Sequence, residues 1–357
     1  MKITARLYLI TLFLSFLITG CLFNPPSQQS VERTKSPKNI IIALGDGLGF
    51  GQIEYFNSMY PGSSSFNYFP IHGSISTHSL NHSITDSAAA CTALFCGHKT
   101  KNGYLGLDQN QNPIENIADH LKKKYNKKIA VISNTHLTHA TPASFFVHSK
   151  NRFNYTDIGH QISSSLFDIL MGGGGHGLSL DSFIDPTVFK TNTLNEFHEN
   201  EHLPFVALFG QSHFPYAIQN NTDYPTLCTM VKKSLSLLND DPDGFLLFFE
   251  AGRIDHACHE NNLEKLYAEM CQFNDAIDYV LNWSSNRDDT LFIVISDHET
   301  GGLKSMMDNN QVSFVWSHKK HSNLDIPILS TGVGSKSFSG SFENTDFFHK
   351  ILSLYPD

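Results

Sequence analysis

The chain has 357 residues, 40% hydrophobic and 17% charged, with a formal net charge of -9. That composition suits one large α/β domain or two modest ones and excludes a disordered or collagen-like polymer. The acidic balance argues against binding to a nucleic-acid backbone, which needs a basic stripe, yet it permits a small phosphate held by metal ions.

The N-terminus carries Lys2 and Arg6, an apolar run from Leu7 to Ile18, then Thr19-Gly20-Cys21. This is the layout of a secretory signal peptide, too short for a comfortable membrane span. Leu17 to Cys21 resembles a bacterial lipobox, which predicts a lipoprotein signal peptide over 1–20 and a lipid anchor at Cys21. The protein is then expected to be exported and held in the periplasm or cell envelope. Residues 21–38, rich in Asn, Pro, Ser and Gln, read as a tether, which leaves 39–357 as a single domain.

From Asn39 to Leu44 runs a near-continuous β-branched segment, the pattern of a strand covered on both faces in a parallel sheet. Comparable runs recur at 128–133, 205–209, 245–249, 291–296 and 326–330. The clearest helix is predicted over Leu263 to Trp283, where Leu263, Leu266, Met270, Phe273, Ile277 and Val280 recur at three- and four-residue steps. The alternation predicts a doubly wound, mostly parallel α/β sheet with helices on both faces. Gly172 to Gly175 is read as breaking the strand after Asp168 to Met171 into a loop. Because no Lys-Ser/Thr follows, it is not a P-loop. Cys91 and Cys96 lie five apart on a predicted helix and point to different sides, so buried free thiols are expected rather than disulfides.

Nineteen histidines direct attention to metal sites, and the polar residues gather where strands end. Asp46 follows the first run, Glu250 and Asp255 the fourth, Asp297 and His298 the fifth, the edge at which open α/β sheets carry their sites. Asp255 and His259, four apart, share a face of a predicted helix, a natural spacing for two ligands to one ion. Thr141 after the second run offers a hydroxyl suited to Mg²⁺, and Arg152 offers a planar fork for two phosphate oxygens. In Ile84 to Thr92, Ser87 follows Asp86 at the head of a small-residue run. Alone, that reads as a closely packed helix start with Ser87 as its N-cap.

Together, six separated motifs between Asn39 and Gly340 resemble, in order, those of the alkaline phosphatases. The resemblance implies Ser87 as nucleophile and two zinc ions: one bound by Asp255, His259 and His321, the other by Asp46, Asp297 and His298 with Ser87. It further implies a magnesium ion on Asp46, Thr141 and Glu250, and a phosphate clasped by Arg152, itself steadied by Asp86. His139 and His256 stand where the best-known bacterial member has Asp and Lys, and are expected close behind the ligands, with the third site open to Mg²⁺ or zinc. His321 is preferred to His318 because it alone keeps the family's six-residue step to Pro327. The short stretch between Gly302 and His321 implies a small accessory insertion. The expected function is hydrolysis of small phosphate monoesters through a phosphoserine, with a homodimer as the family's common assembly. The rivals are a phosphodiesterase or nucleotide pyrophosphatase of the same superfamily and a non-catalytic surface lipoprotein.

Overall fold

The computed structural model describes residues 36–309 and 311–356. The signal peptide, Cys21 and nearly all of the tether lie outside the described residues. The strands are β1 (Asn39–Gly45), β2 (Ile71–Ser76), β3 (Lys128–His136), β4 (Ile169–Gly173), β5 (Phe189–Thr191), β6 (Phe205–Phe209), β7 (Phe245–Ala251), β8 (Thr290–Ile295), β9 (Lys304–Asp308), β10 (Gln311–Val315), β11 (Ile326–Gly332) and β12 (Gly340–Glu343). Ten of them form one sheet in the order β12-β2-β11-β8-β1-β7-β3-β4-β6-β5, and β9 with β10 makes a separate two-stranded sheet. The α-helices of the described residues are α1 (Phe50–Met59), α2 (Ser87–Cys96), α3 (Ile117–Tyr125), α4 (Ala140–Ala143), α5 (Tyr155–Ser163), α6 (Leu194–Glu199), α7 (Leu227–Leu238), α8 (Arg253–His259), α9 (Leu263–Ser284) and α10 (Asn344–Leu352).

β1 is buried along its whole length. Ile40, Ile42 and Leu44 enter the core that holds α2, α3 and α10, while Ile41 and Ala43 enter the one that holds α1, α7 and α9. That alternation is the strand pleat with apolar cover on both sides, and the expected doubly wound architecture is present. β1 pairs in parallel with β7 and β8, and β3 with β7 and β4, so these strands deliver their C-terminal ends to one edge.

Two expectations need correction. The run at 326–330 is not parallel: β11 lies antiparallel to both β8 and β2. An apolar run reports burial and carries no signal of strand direction. Nor does the glycine run break its strand at residue 172, because β4 continues through Gly172 and Gly173. A Cβ on Gly173 would stand 2.0 Å from the Ser212 carbonyl oxygen, so glycine is required there by close approach of another backbone. β2, reading Ile-His-Gly-Ser-Ile-Ser, is only partly buried next to the sheet's edge and offers no apolar run to detect. The insertion after Gly302 is the β9–β10 hairpin, small as expected.

Helix α9 is capped by Asn262, whose side chain accepts from the Lys265 amide, and it buries Leu266, Met270, Phe273, Ile277 and Val280. The same face buries Glu269, which accepts from the Ala217 amide at 2.7 Å and from Asn134 Nδ2 at 3.3 Å. Burial raises its carboxyl to about 7, against the lowering effect of those hydrogen bonds. A carboxyl raised on folding adds stability below its unfolded value and loses it as pH climbs through the folded one. Glu269→Gln should therefore flatten the stability profile between pH 4.5 and 7, removing a fall on the order of 3 kcal/mol; urea unfolding across that range measures it. All five cysteines after Cys21 are free, with Cys91, Cys96 and Cys258 buried.

Candidate active site

Helix α2 starts on Asp86, which contradicts the reading of Ser87 as N-cap. The Asp86 Oδ1 accepts from the Ala89 amide at 3.0 Å, and its Oδ2 accepts from the Gly103 amide at 2.9 Å and from Arg152 Nη1 at 3.1 Å. A carboxylate at this position satisfies an orphan helix amide and favours the dipole. Ser87, relieved of capping, becomes the first helical residue and turns its Oγ to 3.2 Å from His298 Nε2. Every residue of α2 is buried, and Ala88 shares a core with Ala140 and Ala143 of α4. Ala88→Leu should overpack that contact at about 1–3 kcal/mol and displace Ser87. Steady-state kinetics on 4-nitrophenyl phosphate should then show at least a roughly tenfold loss, and full activity would contradict it.

At the end of β1, Gly47 takes φ 70; a Cβ here would lie 2.8 Å from Asp255 Oδ1. This turn sets Asp46 against Asp297 and His298 at the end of β8. Three groups of side chains present donor atoms within 4.8 Å of one another: Asp255, His259 and His321; Asp46, Asp297 and His298; and Asp46, His139 and Glu250. Thr141 sits beside the third group, its buried Oγ1 without a partner. His139 thus stands among the donors, not behind them. His256 is 5.9 Å from His139 ring to ring and falls in none of the three groups, and neither does His318.

The hydrogen bonds fix the imidazole tautomers. His259 Nδ1 faces the Lys319 carbonyl at 2.8 Å and His321 Nδ1 the Thr85 carbonyl at 3.0 Å, so both must donate there. Thr300 gives its one proton to Asp255 Oδ1 at 2.6 Å and therefore accepts from His298 Nδ1 at 3.3 Å. With the rings neutral, as metal binding requires, all three Nε2 atoms are left as lone pairs. They point at acceptors: His259 Nε2 lies 3.2 Å from His321 Nε2 and 3.3 Å from Asp255 Oδ2, and His298 Nε2 lies 3.2 Å from Asp297 Oδ2. Both Asp46 oxygens, Asp297 Oδ2 and Glu250 Oε1 are buried without a hydrogen-bond partner. Unpaired buried carboxylates facing lone pairs are costly unless cations stand between them, so these residues fit the expected metals.

Electrostatics point the same way. Burial, then the charges of Asp297, Asp255 and Glu250, push the Asp46 carboxyl well up. Burial also lifts Glu250 and Asp297 to about 7 each. Without ions, the Asp255 carboxylate raises His259 to about 9, so that ring takes up a second proton and, against burial, holds the Asp255 carboxyl well below the usual range.

Sequence reasoning missed the supporting residues. Thr300 orients His298 and Asp255; Asn134 Oδ1 accepts from the Gly252 amide at 2.8 Å at the start of α8; Ser133 and Thr135 both donate to Glu250 Oε2. Each lies within or beside a recognised motif, so adjacency was the available signal.

The alkaline phosphatase family profile matches residues 37–180 and 186–308. The chain belongs to the alkaline phosphatase family. It is 31% identical to the repressible alkaline phosphatase of Saccharomyces cerevisiae over 89% of this chain and 67% of that protein. It is 27% identical to alkaline phosphatase 4 of Bacillus subtilis, over 80% of this chain and 68% of that one, so it spans about two thirds of either. The solved alkaline phosphatase from the Antarctic bacterium TAB5 superposes with a TM-score of 0.82 at 29% identity, covering 90% of this chain and 98% of that chain. Membership makes this alkaline phosphatase homologue a phosphoric monoester hydrolase by family.

Proposed function

We propose that the chain hydrolyses phosphate monoesters through a phosphoserine at Ser87. The observation that carries this reading is the Ser87 hydroxyl, on a buried helix start, 3.2 Å from His298 Nε2 and one residue after Asp86, which holds the Arg152 guanidinium. Asp255, His259 and His321 would hold one zinc, and Asp46, Asp297 and His298 with Ser87 a second; mixed imidazole and carboxylate sets suit that ion. Asp46, Glu250 and Thr141 would hold magnesium, with His139 in the same group favouring zinc as an alternative occupant. The TAB5 enzyme has been solved, as a variant with a histidine replaced by aspartate, with Mg bound in its M3 site. When bound, such ions acidify a coordinated hydroxyl or water and neutralise charge on a transferring phosphoryl group.

The chain's own residues supply the rest. Arg152 grips two phosphate oxygens with its planar fork, and Asp86 fixes the guanidinium so that little freedom is lost on binding. The N-terminus of α2 adds a favourable dipole beneath the anion. Ser87 Oγ attacks phosphorus in line as the bond to the leaving oxygen breaks, and water then displaces Ser87 to release inorganic phosphate. Beyond the phosphate, the reading takes small monoesters as substrates. The lipobox supports an exported, envelope-held protein anchored through Cys21, and the family resemblance supports a homodimer. Thr141, Glu250 and Arg152 favour a monoesterase over a diesterase. With zinc and magnesium supplied, 4-nitrophenyl phosphate should be cleaved at least about a hundredfold faster than its bis ester; the reverse preference would sink the proposal.

A further inference from the structure

Beside Arg152 stands a surface of aromatic rings that the proposed chemistry does not use. Phe153 is 65% exposed, with its ring centroid 5.6 Å from the Arg152 guanidinium carbon and 6.2 Å from that of Tyr155. Tyr155 meets exposed His176 edge-on at 5.1 Å, and His176 stacks on buried His136 at 4.2 Å and 22°. Behind His136 lies His213, at 4.5 Å. Thr138 locks the stack: its hydroxyl donates to the His176 carbonyl at 3.1 Å and so accepts from His136 Nδ1 at 2.9 Å.

A single exposed ring is ordinary, but this series has a direction. It begins at the guanidinium and returns to it, since Arg152 Nη2 lies 3.4 Å from His139 Nε2 and the His139 ring 5.5 Å from His136. The glycine run ends here too, and His176 is held at φ 46, a left-handed backbone that non-glycine residues seldom take. His136 backs the surface with the face of its ring, stacked on His176.

We infer that Phe153, Tyr155 and His176 form a leaving-group subsite that selects phosphate monoesters carrying a planar aromatic ring, either an aryl phosphate or a nucleoside phosphate. The inference rests on the phosphatase reading and adds a substrate class to it. Stacking on aromatic side chains is tolerant of the ring's identity, so shape is what the surface discriminates.

Competitive inhibition by phosphonates tests this without leaving-group reactivity entering. Phenylphosphonate, adenosine 5′-phosphonate and the size-matched but non-planar cyclohexylphosphonate would be compared on the metal-loaded protein. At least one planar compound should bind about tenfold more tightly than the cyclohexyl one, with the phenyl and adenosine arms separating an aryl from a nucleoside preference. In Phe153→Ala and His176→Ala that ratio should fall to within about threefold, while Phe153→Trp retains it. Equal binding of all three compounds to the wild type, or a ratio that survives both alanine variants, overturns the subsite and leaves the monoesterase reading standing. Failure of every phosphonate and of inorganic phosphate to bind overturns both.

Discussion

Ser87→Ala should reduce hydrolysis of 4-nitrophenyl phosphate by roughly a thousandfold or more while leaving metal content nearly unchanged. The hydroxyl lies 3.2 Å from His298 Nε2, and the helix does not depend on it, because Asp86 supplies the cap. Its loss removes the nucleophile without opening a cavity or unpairing a carboxylate. Elemental analysis and thermal unfolding should therefore match the wild type while turnover collapses. Retained turnover would sink the phosphoserine reading; lost metal would mean that Ser87 is needed to assemble the site.

Metal removal should invert the protein's pH dependence. Stripped of ions, the site holds Glu250 and Asp297, each lifted to about 7 by burial, and Asp46, pushed well up. Their folded values exceed their unfolded ones, so their contribution is complete below about pH 4 and is lost as pH rises through about 7. The chelated protein should accordingly be more stable at pH 6 than at pH 8, by on the order of 3 kcal/mol. The loaded protein should behave oppositely, because its ligands must be deprotonated to bind and acid releases the ions. Differential scanning calorimetry with and without a chelator should give profiles that converge toward acid and diverge toward pH 8. Parallel ones would count against cations at these carboxylates. Stripping should also lower the melting temperature at pH 8 by at least about 5 °C.

Much of this was legible in the sequence where burial is extreme. β1, β3, β6, β7, β8 and β11 announce themselves as apolar runs because both sheet faces are covered. The partly exposed β2 does not, and the reversed direction of β11 is invisible because pairing direction depends on partners distant in the chain. At the site, the resemblance named residues by type and spacing, and the structure brings Asp255, His259 and His321 together and Asp46, Asp297 and His298 together. Local pattern failed at Ser87, where two adjacent residues can each cap a helix and only Gly103 and Arg152, reached through folding, show why Asp86 takes the role. The aromatic series beside Arg152 could not be read at all, since its members come from the ends of β3 and β4, the start of α5 and the loop after β6.

The double duty of Asp86 has a thermodynamic consequence. One oxygen of its carboxylate ends a helix and the other steadies the guanidinium that faces the substrate. Local order at the start of α2 and affinity for an anion are then linked functions of one side chain, and linkage is reciprocal. An anion seated on Arg152 tightens the first turn of the helix by as much as that turn, once formed, tightens the anion, so the chain cannot loosen one without weakening the other.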